Sequence, residues 1–127
     1  MGNCKGYGAC LVKISAVYLV IGLVAGLYVA IAKVYPLATV HSHLALAGWG
    51  SMCLAGLVYI VRPSCDSNRL ASAHFWLHNV GLLVMIVSLA IYKLGNESAE
   101  KALGIGSMLL LAGLAVFAVN VLKNLDA

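Results

Sequence analysis

The chain has 127 residues, of which 63% are hydrophobic and only 9% charged, and its mean hydropathy is +1.00. So much apolar surface excludes a water-soluble globule of this size and places the chain in a lipid bilayer. The net charge of +4 does not signal nucleic acid, because the basic residues are few and sit at the ends of apolar runs, where they act as topology signals.

In chain order, four apolar runs reach the roughly 20 residues that a helix needs to cross a hydrocarbon core. They cover about Leu11 to Ala32, Leu37 to Val61, Leu70 to Tyr92 and Ala102 to Leu122. Tyr35-Pro36 and Arg62-Pro63 break the helical pattern, since proline lacks a donor and restricts its predecessor. "SCDSN" and "LGNES" supply turn and capping residues at the other breaks. Unpaired backbone is too costly in lipid for any open spanning form, and a barrel strand is only about half as long as these runs. The expected fold is therefore all-α: one transmembrane domain over 1–127, an integral membrane four-helix antiparallel bundle with short loops.

The side carrying the N-terminus, the second loop and the C-terminus holds Lys5, Lys13, Arg62, Arg69 and Lys123, and the other side holds Lys33, Lys93 and Lys101. That bias predicts both termini in the cytoplasm, with a bacterial inner membrane as the expected setting. The first run is too long for a cleavable signal peptide and lacks a small-residue cleavage pattern. "MGNCKG" resembles an acylation signal, but position six is Gly6 rather than Ser or Thr, so lipidation is not expected. Cys4, Cys10 and Cys65 fall on the predicted cytoplasmic side, where thiols stay reduced, and Cys53 lies in the second run. None forms a CxxC pair, so the cysteines read as structural filler.

The chemistry concentrates in the second and third runs, which hold all four histidines: His41, His43, His74 and His78. Imidazoles at membrane depth usually have a functional partner. His41 and His43 differ by about 200° around a helix, so they cannot chelate one ion together. Small residues follow on both ridges, Ala45 and Gly48 after His41, Ala47 and Gly50 after His43. The room they leave admits either a porphyrin edge or a neighbouring helix. His74 and His78 share a face continued by Gly81 and Met85, so they read either as a joint metal site or as an interfacial His74 beside a buried, hydrogen-bonded His78. Trp49 and Trp76 either flank a flat cofactor or serve as belt and packing residues.

The stretch "HSHLALAGWGSMCLAGLVYIVRP", followed by "HFWLHNVGLLVMIVSLAIYKLGN", resembles consecutive helices of the catalytic subunit of haem-copper oxidases, most closely the nitric oxide reductase branch. It also resembles small four-helix proteins related to that subunit. The resemblance implies haem b as cofactor. Carried over residue by residue, it implies that His41 matches the axial ligand of the high-spin, gas-binding haem and His43 a ligand of the low-spin haem. The likeness spans residues 41 to about 96, and the flanking runs match in hydropathy only. Complete subunits of that family have many more helices, a second low-spin ligand from an early helix and a further histidine cluster. A chain with four histidines lacks these, so full oxygen or nitric oxide reduction is not expected of it alone.

Counting residues from the ends of the runs puts His43 and His78 roughly 10 to 15 Å apart in depth, too far for one upright bis-imidazole haem. The expected arrangement is haem held by the HxH helix, its other face met by a second subunit or open to a small gas. His78 remains a candidate ligand near the cytoplasmic half. Gly22 and Gly26 are spaced for homo-oligomer contacts. The candidate site is thus His41, His43 and His78, flanked by Gly48, Trp49 and Gly50. The expected function is haem-based electron transfer or diatomic gas binding (NO or O2), with the lipid bilayer, a second copy and a gas or redox partner as contacts. The alternative is an accessory or structural subunit of a respiratory complex without haem. Divalent-metal transport is weaker, because the spans offer hardly any carboxylates: Glu97 and Glu100 fall in a loop, and Asp66 and Asp126 outside the helices.

Overall fold

A computed structural model describes residues 4–127 and is helical almost throughout. Four helices are long and apolar enough to cross a membrane: α1 (Tyr7–Ala32), α2 (Tyr35–Val61), α3 (Arg69–Lys93) and α4, whose long helix Glu100–Asn124 follows a 3-10 turn at Glu97–Ala99. The expected all-α four-helix membrane bundle is what the chain forms. The helices begin one to a few residues before their apolar runs, and at two of these starts the polar residues Asn68 and Asn96 cap the helix rather than interrupt it. The acylation-like Met1 to Asn3 lie outside the described residues.

Local chemistry explains the ends. The first turn of α1 has no side-chain cap of its own, and Gly6 precedes it at φ 92°. Asp66, from the short helical turn Pro63–Asp66, supplies the missing acceptor, taking the N–H of Gly8 at 3.1 Å. Asn68 caps α3 by accepting from the amide of Ala71 at 2.9 Å. Past the end of α3, Gly95 at φ 104° turns the chain so that Asn96 N–H reaches the carbonyl of Ile91 at 3.2 Å.

The helices pair as two hairpins, α1 with α2 and α3 with α4. Without water between them, membrane helices associate by close packing, and small residues set the approach. A Cβ placed on Gly81 would stand 2.5 Å from the Leu110 nitrogen, and one on Gly106 2.5 Å from that of Met85. Between α1 and α2 the same holds reciprocally for Gly8 and Gly56, each 2.8 Å from the other's carbonyl. A Gly106→Leu variant is expected to lose at least the ~1–3 kcal/mol typical of overpacking, read as reduced resistance to unfolding in detergent. Gly104→Leu on the same helix, where nothing lies within 4 Å, is expected to change little.

Two expectations need correction. Gly22 and Gly26 do not form a free oligomer face. Gly22 lies against Leu44 and Gly26 against the His41 ring, so both are consumed by packing α1 on α2. Cys4 and Cys10 are not free thiols but are joined in a disulfide. A CxxC search misses such a pair because bridging requires only Cα atoms within reach, here 5.3 Å apart.

Candidate functional site

The middle of α2 departs from α geometry. After the turns Ala38–His43, residues Leu44–Gly50 form a π-helix, and α spacing resumes at Ser51. The amide of Ser51 donates to the carbonyl of Leu46, five residues back. Wide turns of this kind are uncommon and concentrate at functional positions.

His41 and His43 leave α2 on different sides. The His41 ring lies against Gly26 of α1 and donates from Nδ1 to the carbonyl of Gly22 at 2.7 Å. His43 donates from Nδ1 to the carbonyl of Thr39, one turn back on its own helix, at 2.8 Å. A carbonyl carries no proton, so in each neutral ring the proton is on Nδ1 and Nε2 keeps a free lone pair. No buried side-chain nitrogen or oxygen among the described residues lacks a partner, so both Nε2 atoms occupy accessible positions.

His43 borders a groove of about 320 Å³ between α2, α3 and α4, together with Leu46, Ala47, Ser51, Met85 and Leu110. Met85 brings a thioether to the same groove. The expected neighbours divide. Gly48 is filled by the Tyr18 ring of α1, which a Cβ there would meet at 2.9 Å, so the space anticipated for a porphyrin edge is taken by a helix. Gly50 meets only the carbonyl of Ala45 from its own helix. Trp49 is half-buried and Trp76 is 60% exposed.

His78 belongs to a second constellation. Its Nε2 donates to the carbonyl of Ala47 at 2.9 Å, and its Nδ1 lies 3.0 Å from His74 Nε2. Both ring nitrogens are therefore engaged, and no lone pair is left for a ligand. His74, expected near the interface, is 0% exposed. Its Nδ1 meets the Tyr59 hydroxyl at 2.9 Å. Asn120 of α4 donates to the Tyr59 oxygen at 3.2 Å and to the carbonyl of Cys65 at 2.8 Å, and accepts from Asn68 and Asn124, each at 2.9 Å. This polar chain runs from the 62–69 loop to the π-helix. The depth estimate is corrected accordingly: the His78 ring reaches the carbonyl of Ala47, about 6 Å along α2 from His43, nearer than counting from the run ends implied.

Tyr59 and Asn120 were not singled out from the sequence as partners of the histidines, and Met85, read as continuing the His74–His78 face, lines the His43 groove instead. Asn120 carried a usable signal, being a lone amide within the apolar run 102–122, where an unpaired polar group is costly. Comparison of the chain with known protein families, curated proteins and solved structures finds no match.

Proposed function

We propose that the chain is a haem b-binding integral membrane protein, related to the haem-copper oxidase catalytic subunit, acting in electron transfer or in binding a diatomic gas. The observation that carries this reading is the state of the HxH pair: both rings spend Nδ1–H on a backbone carbonyl and keep Nε2 free. Metal-ligating histidines are held in this way, the second nitrogen fixing tautomer and ring orientation.

The donor set fits a porphyrin iron. His43 would hold it through Nε2, and Met85 of α3 also lines the groove, so its thioether would be the candidate second ligand, a pairing known from His/Met haems. The bound haem supplies the redox and gas-binding chemistry. The chain's own contribution is ligation, orientation and exclusion of water by Leu46, Leu110, Leu111 and Leu114. At about 320 Å³ the groove is at the small end of the roughly 300–1,000 Å³ usual for ligand sites. A porphyrin held there would exceed the groove and would need lipid or a second copy to cover the remainder. His41, against α1, corresponds to the gas-site ligand of the resemblance, and His78 serves structure instead.

In this reading the protein lies in a bacterial inner membrane with both termini cytoplasmic, as the lysine and arginine bias favours. The Cys4–Cys10 pair would then be reduced in the cell and close on exposure to air. Blocking thiols in intact cells before lysis measures that, and a disulfide already present reverses the orientation.

The absorption spectrum of protein purified from haem-replete cells tests the function. A b-type spectrum reducible by dithionite is expected, and a carbon monoxide or nitric oxide shift distinguishes an open coordination site from a closed electron-transfer haem. A colourless protein that takes up no added haem overturns the reading and leaves a haem-free accessory subunit.

A further inference from the structure

The π-helix of α2 begins directly after His43 and needs support from outside the helix. Passing from i→i+5 back to i→i+4 bonding frees a carbonyl, and a buried carbonyl without a donor is costly in lipid. At Ala47 the donor is the His78 Nε2–H. This contact orders the whole chain behind it. With His78 Nε2 protonated, Nδ1 of the neutral ring must accept, so His74 carries its proton on Nε2. His74 Nδ1 then accepts from the Tyr59 hydroxyl, whose oxygen accepts from the Asn120 amide. Every proton points toward Ala47, and neither the carbonyl at one end nor the amide at the other relays protons onward.

The geometry points to Tyr59, His74 and His78 as positioning residues for the HxH pair: they hold the π-turn open, and the π-turn sets the direction in which His43 faces its groove. The turn inserts extra residues between His43 and the straight helix beyond Ser51. Collapse to α spacing would rotate the segment carrying His43 relative to α3 and α4. The inference deepens the proposed site, but its test needs no haem.

Nitrogen-15 histidine spectra of the full chain in detergent, prepared without haem, read it out. The wild type is expected to show two rings protonated at Nδ1, His41 and His43, and two at Nε2, His74 and His78. Any other division overturns the proton order even if every variant fails to fold. His78→Leu is expected to shift the His43 ring signals and the backbone signals of residues 44–50. His78→Gln, whose amide still donates to Ala47, is expected to restore them. Val29→Ala, a buried deletion on α1 outside the core cluster that holds Tyr59 and Ala47, controls for general loosening. His43 signals that stay in place in His78→Leu, or move equally in Val29→Ala, overturn the positioning role. A colourless wild type with these shifts present refutes the haem reading alone.

Discussion

His43→Ala should give a folded bundle that retains little or no haem, whereas His41→Ala should keep the pigment and chiefly alter its response to carbon monoxide or nitric oxide. The asymmetry follows from where the rings lie. His43 borders the groove shared with Met85 and bonds only within its own helix, so its removal deletes the proposed ligand without breaking a hydrogen bond between helices. His41 ties α2 to the Gly22 carbonyl of α1, and its loss also removes packing against Gly26. The measurement is the haem-to-protein ratio of each variant, with helicity by circular dichroism to show that the fold survives. Full haem content in His43→Ala would move the ligand assignment to His41. Met85→Leu, nearly equal in volume, should keep the haem but lower its midpoint potential if the thioether completes the coordination.

Asn120→Leu should be the most damaging of the volume-matched substitutions. Asn120 is 0% exposed and joins Tyr59, the Cys65 carbonyl, Asn68 and Asn124. Leucine fills the space, so the cost is that of stranded polar partners. A buried group left unpaired loses about 1–3 kcal/mol, and with several released together a total of about 3–5 kcal/mol is expected after partial rearrangement. Unfolding in mixed detergents measures it, and a loss below about 1 kcal/mol would mean that the amide is not the junction it looks to be. Combined with Tyr59→Phe, the two losses should fall short of their sum, as members of one network do.

The architecture was legible because hydropathy, proline breaks and caps are local properties, and the four runs mapped onto the four helices with only their polar ends missed. The HxH helix and the divergence of its two rings could also be read, since both depend on residue spacing in one helix. The π-turn could not, because nothing in "LALAGWG" distinguishes it from an α-helix until His78 arrives from another helix to bond Ala47. For the same reason His78 was read as a ligand candidate: its partners Ala47 and His74 are fixed by packing, not by sequence separation. Gly22, Gly26 and Gly48 were recognised as close-contact positions, but which helix would claim them is a tertiary fact, and α1 and α2 claim each other.

The polar chain also divides the bundle across its thickness. From the 62–69 loop to Ala47, hydrogen bonds stitch α2, α3 and α4 together. Beyond Ala47, toward the opposite surface, the bond from His41 to Gly22 is the single side-chain link between helices among the described residues. One half of the bundle is therefore braced by hydrogen bonds across three helices, and the other, where His43 resides, is held by close packing and that one bond. A guest entering the proposed groove from the lipid side would leave the bracing intact.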